Sequence, residues 1–113
     1  GFFLTDSGFT LDWSVENAKE VAAIMTQRDK FHTGGGMVVA NPLPVDEQLD
    51  PTLHDRLLSD GMRAAEIRGI RGKDVTPFLL DFFHRESKGR SLDVNVTVVL
   101  NNARFAAAIA REL

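Results

Sequence analysis

The sequence has no cysteine among its 113 residues. That absence removes disulfides, a thiolate nucleophile and a cysteine-ligated zinc site together. It also lacks any basic run, and its 13 lysines and arginines stand against 16 aspartates and glutamates, a formal net charge of −3. Such a balance creates no field to gather nucleic acid, so no nucleic-acid partner is expected. No apolar run approaches the roughly 20 residues that cross a bilayer as a helix, so no membrane partner is expected either. The opening GFFLTDSG has none of the basic residues that begin a secretory signal, which makes a cytoplasmic protein the default expectation. The start on glycine, followed at once by Phe2-Phe3-Leu4, suits a sequence cut from something longer.

What remains is ordinary for a globular chain, 43% hydrophobic and 26% charged, and its length allows one domain or part of one. Phe2 to Leu4 reads as a short buried strand with Thr5-Asp6-Ser7-Gly8 as the turn after it. Asp6 and Ser7 invite a catalytic reading, but Asp-Ser-Gly is common turn chemistry, because those side chains bond nearby backbone N–H groups. Asn17 and Glu20 have the spacing of a capping box, and Val21, Ile24, Met25 and Arg28 continue a helical face. The lone Trp13 is expected to pack on that helix rather than to stack on a nucleobase.

Thr33-Gly34-Gly35-Gly36 precedes Met37-Val38-Val39-Ala40, a tight loop feeding a buried strand. A phosphate cradle would need those glycines to open a helix, and no Gly-Lys-Ser/Thr follows. Asn41-Pro42-Leu43-Pro44 stops the strand. Asp50-Pro51 is a cap followed by proline at the first helical position, opening a helix marked by Leu53, Leu57, Ala64 and Ile67 and closed at Gly69. Gly61 interrupts it at a cost of about 1 kcal/mol relative to alanine, which close packing against a neighbour would explain. His32, His54 and His84 are scattered and have no metal-ligand spacing. Lys73, in a loop after Gly72, could meet a phosphate; solvent is the commoner surrounding for a lysine.

Thr76-Pro77 repeats the cap-then-proline pattern ahead of Phe78, Leu79, Phe82 and Phe83, and Gly89 ends that helix. Ser91 can cap a final segment. There the β-branched Val94, Val96, Thr97, Val98 and Val99 argue for a strand. The alanine-rich tail and the steps of three and four through Leu92, Val96, Val99, Ala103, Ala106, Ala110 and Leu113 argue for one long helix, which is the expectation adopted. Asn95, Asn101 and Asn102 are poor helix formers, so something should compensate for them. A hydrogen bond to another helix would do so. So would a ligand with both donors and acceptors, such as a pyrimidine, because an amide offers both in one plane.

GIRGKDVTPFLL, GRSLDVNVTVVLNNA and the closing AAAIARE, with GGGMVVANPLP and FFLTDSGF upstream, resemble the C-terminal part of the pseudouridine-5′-phosphate glycosidases, also called the indigoidine synthase A family. The resemblance spans nearly the whole chain, with the motifs in order. It implies that residues 1–113 are a C-terminal fragment of a single α/β domain, an α/β/α sandwich. This part would be mostly helical with one or two short strands, Met37 to Ala40 the secure one, and the sandwich would assemble as a homotrimer. Apolar clusters such as Phe78, Phe82 and Phe83 would then lie partly exposed. The activity implied is reversible cleavage of the C–C glycosidic bond of pseudouridine 5′-phosphate to uracil and ribose 5-phosphate. A lysine Schiff base, a glutamate and an aspartate-bound manganese would carry it. In Ser91-Leu92-Asp93-Val94-Asn95 the family's base-contacting asparagine falls on Asn95, the one substrate-binding residue carried over. Asn102 and the TPFLL motif at Thr76 to Leu80 carry over as structural. Nothing here matches the motifs of the catalytic lysine, glutamate or metal-binding aspartate, and Lys19, Lys30, Lys73 and Lys88 stand in other contexts. The chain alone is therefore expected to be inactive, with manganese held by polypeptide outside it. The competing reading is a non-catalytic helical module that binds a partner protein or a phosphosugar.

Overall fold

Local hydrogen-bond signals place the helices of this chain, and a computed structural model describing residues 3–32 and 34–113 shows where they pack. Helix α1 covers Ala18–Lys30, α2 Pro51–Ile67, α3 Val75–Glu86 and α4 Arg90–Glu112, with a 3-10 turn at Gly72–Asp74 ahead of α3. At α1 the Glu20 N–H donates to Asn17 Oδ1 at 3.0 Å, while Glu20 Oε2 accepts from the Glu16 N–H at 2.8 Å. This is the expected box, with the glutamate reaching one residue further back than usual. At α2 the Leu53 N–H donates to Asp50 Oδ1 at 2.8 Å, and Pro51 takes the first turn as expected.

The next two helix starts differ from the sequence reading. Thr76 does not cap α3. The 3-10 turn runs directly into the helix, which begins at Val75 with no side-chain cap, so Thr76 lies inside the first turn. Helix α3 stops at Glu86 with Ser87 as its C-cap, and the first left-handed residue after it is Lys88, φ 55°, not Gly89; Gly89 follows, also left-handed at φ 84°, its N–H donating to the His84 carbonyl at 2.9 Å. Ser91 does not cap α4 but lies buried within it. The capping acceptor is the buried Ser87 Oγ, which takes the Ser91 N–H at 3.0 Å. The long last helix forms despite its β-branched run, since no strand among the described residues lies beside it to reward that propensity.

Helix α2 packs on α3, α3 on α4, and α1 on α4. Between α2 and α3 the approach is close. A Cβ built at the buried Gly61 would sit 2.9 Å from Leu79 Cδ2 and 3.0 Å from Phe82 Cδ1. That is the packing reason expected for a glycine inside this helix. The core joins Phe3, Leu49, Leu57 and Phe83, with Phe3 stacked on Phe83 at 5.4 Å and His54 edge-on to Phe83 at 5.5 Å. Phe83 is buried, whereas Phe78 and Phe82 are half-buried, so that cluster is partly exposed as expected.

No strand forms among the described residues. Phe3 and Leu4 lie in a bend, where the Leu49 N–H donates to the Phe3 carbonyl at 2.9 Å; Phe2 and Thr33 lie outside the described residues. Met37 to Ala40 is irregular, and Val38 is 95% exposed. The strand expected there has no ladder partner among the described residues, and an isolated segment cannot make the interstrand bonds that define a strand. Trp13 is 85% exposed instead of packing on α1. The buried side of α1, Val21 and Ala22, is taken up by α4.

The assembly is open. Its radius of gyration is 17.2 Å, against about 13 Å for a compact domain of this length. Its accessible surface is 8559 Å², against about 6,200 Å² for a compact monomer of this mass. The architecture is thus a mostly helical part of an α/β fold, with no strand among its described residues.

Candidate functional site

The three asparagines singled out from the sequence all lie on α4, and their surroundings separate them. Asn101 Nδ2 donates to Glu47 Oε2 at 2.7 Å, and its Oδ1 accepts from Arg104 Nη1 at 3.4 Å. Asn102 Oδ1 accepts from Asn41 Nδ2 at 3.0 Å. Both therefore tie the segment from Asn41 to Glu47 onto α4. The compensation for these helix-poor residues is structural, and the partner is an irregular segment rather than another helix.

Asn95 is different. It is half-buried, its side chain makes no hydrogen bond among the described residues, and its amide atoms are not sealed from solvent. It lies one turn beyond the buried Ser91, on the same side of α4 as Asn102, seven residues further on. The turn beneath it is well fixed. Only Ser87, Lys88 and Gly89 separate α3 from α4, and the bonds at Ser87 and Gly89 set the angle at which α4 leaves α3.

Two clefts, both open to solvent, lie elsewhere. One, of about 380 Å³, runs between the Asn41–Glu47 segment and α4, with Asn101, Arg104 and Phe105 on its helical side. Its best polar groups, Glu47 and Asn101, are occupied by each other. The other, of about 470 Å³, lies between α2 and the start of α3, with Arg63, Glu66 and Arg71 on its rim. Asn95 lines neither. Asn41 and Glu47 went unnoticed in the sequence as partners of Asn102 and Asn101, because contacts across 61 and 54 residues leave no local pattern.

The remaining reactive types are dispersed. All four lysines, Lys19, Lys30, Lys73 and Lys88, are exposed, and Lys73 sits in the 3-10 turn. His54 lies against Phe83 with its Nδ1 3.2 Å from Asp55 Oδ1, remote in sequence from His32 and His84. Among the described residues no three of His, Asp or Glu gather into a group that could hold a metal ion. No helix is long and apolar enough to cross a membrane.

Comparison with known proteins gives this arrangement a family. The family described as "Indigoidine synthase A like protein" matches residues 1–112. A pseudouridine-5′-phosphate glycosidase of Salinispora tropica is 54% identical over 112 residues, covering 97% of this chain and 34% of that protein. Its namesake in Frankia alni is 53% identical over 110 residues, with 97% and 30% covered. The one in Geobacillus kaustophilus is 39% identical over 112 residues, with 99% and 37% covered. The chain thus spans about a third of the length of these relatives, and over that third it belongs to the indigoidine synthase A-like family.

Proposed function

We propose that this chain supplies one wall of the base-binding site of a pseudouridine-5′-phosphate glycosidase, with Asn95 as the contact to the uracil. The whole protein would cleave the C–C bond of pseudouridine 5′-phosphate reversibly to uracil and ribose 5-phosphate. The carrying observation is the contrast along α4. Asn101 and Asn102 are engaged by the chain's own residues, while Asn95, held at a fixed turn, keeps its amide unclaimed and open to solvent. An amide in that state can donate to a pyrimidine carbonyl and accept from a ring N–H without first breaking a protein bond.

The Schiff-base step belongs on this reading to polypeptide outside the chain. A nucleophilic lysine needs its ammonium destabilised by burial or by a neighbouring cation, and the four exposed lysines here have no burial to offer. The glutamate and the manganese-binding aspartate are placed outside it as well. Homotrimeric assembly and a cytoplasmic location belong to the same proposal.

Asn95→Ala in the full-length protein tests it. Uracil release from pseudouridine 5′-phosphate should fall in kcat/KM by roughly 10- to 100-fold, as expected when a base edge loses a partner worth about 1–3 kcal/mol. Asn102→Ala should leave that ratio within about twofold, its bond being internal. Unchanged kinetics in Asn95→Ala would remove Asn95 from the site.

A further inference from the structure

Helix α4 is apolar on two opposite sides. Val94, Val98, Phe105 and Ala108 lie on the half-buried side. The opposite side carries Leu92, Val96, Val99, Ala103, Ala106 and Ala110 at steps of four and three, a single stripe on a helix of 3.6 residues per turn. That stripe faces solvent, with Leu92 50%, Val96 52% and Val99 62% exposed. A surface helix keeps one apolar side, and a helix apolar on both sides is an interior helix. The chain's surface exceeds that of a compact monomer of its mass by about 2,400 Å², within the range of obligate interfaces. Met37 to Ala40 is likewise apolar and makes no backbone ladder among the described residues.

We infer that the outer stripe of α4 is a docking face for the remaining two thirds of the family domain, which makes α4 a central helix of the complete protein. The occupant is identified by length. The chain covers 34% of the Salinispora relative, 30% of the Frankia one and 37% of the Geobacillus one, so each of these relatives carries a further body about twice its size. An apolar segment at Met37 to Ala40 that forms no ladder and an uncovered helix side are the edges expected where such a body is joined. Asn95 lies on the border of the stripe, so the same contact would raise the second wall of its pocket. The inference rests on family membership and on geometry, not on the reaction proposed above, so loss of turnover and loss of docking are separate results.

The absence of native cysteine makes the test direct. Val96→Cys and Ala103→Cys are made singly in the 113-residue chain and in a chimaera in which this chain replaces the matching third of the Salinispora protein. Thiol alkylation at each site is followed by peptide mass spectrometry, relative to the same protein in urea. In the chimaera both sites should react at least about 100-fold more slowly than in urea, at every protein concentration. In the chain alone they should react within about tenfold of the unfolded rate. Fast alkylation in the folded chimaera would overturn the inference. Protection that appears in the chain alone and grows with concentration would do so too, by naming a second copy as the occupant. If the chimaera does not fold, cysteines at the two aligned positions of the intact Salinispora protein give the same readout, and fast alkylation there overturns it equally.

Discussion

Gly61 shows how one missing side chain can set the distance between two helices. A β-carbon there meets Leu79 Cδ2 at 2.9 Å and Phe82 Cδ1 at 3.0 Å. Gly61→Val should destabilise the chain by about 2–3 kcal/mol, because overpacking outweighs the modest gain in helix propensity. Urea unfolding measures it, and an unchanged midpoint would mean that α2 and α3 separate at no cost. The caps give a paired prediction. Asp50→Ala should cost about 1 kcal/mol, since it deprives the Leu53 N–H of its acceptor. Thr76→Ala should stay within about 0.5 kcal/mol, because the 3-10 turn has taken over the start of α3. The two carry the same residue pattern, cap then proline, and only one of them caps. A proline tolerates any position in the first turn, so the pair Thr76-Pro77 could not reveal that the helix had begun upstream.

Among the elements, α4 carries most of the organisation. It meets α1 and α3 and holds the Asn41–Glu47 segment through two asparagines. A double-mutant cycle on Asn101→Ala and Glu47→Ala should show a coupling of about 0.5–1 kcal/mol, as for neighbouring groups sharing one bond. Additivity within experimental error would mean that the Asn101–Glu47 bond does not help to hold the segment. Helical periodicity revealed α4 in the sequence because it is a property of the helix itself. Which of its two apolar sides would be inside was not legible. The stripe through Leu92, Val96 and Val99 is the more regular, yet it is the exposed one. The choice is made by α1 and α3, which arrive from elsewhere in the chain. Met37 to Ala40 failed as a strand for the same reason. Apolar, β-branched residues make a strand only when a partner accepts their backbone bonds.

At the scale of the whole molecule, openness is the governing property. A radius of gyration of 17.2 Å and many exposed large apolar side chains show a chain that does not close on itself, and the proposed base contact, Asn95, is only half-buried. The 113-residue chain by itself should therefore release no uracil from pseudouridine 5′-phosphate above the uncatalysed background. Turnover by the purified chain would show that one of its exposed lysines is catalytic after all.

The sequence by itself determined the helices, the N-caps of α1 and α2 and the family, since these depend on residues a few positions apart or on motifs in order. Only the tertiary structure decided which side of α4 is covered, that Ser87 rather than Ser91 supplies the cap, and that Asn101 and Asn102 are engaged while Asn95 is not. The engagement of Asn101 and Asn102 and the covering of α4 depend on groups brought together across tens of residues, which leave no periodic trace in the chain, whereas the Ser87 cap is a local bond whose use turns on where α3 stops and α4 starts.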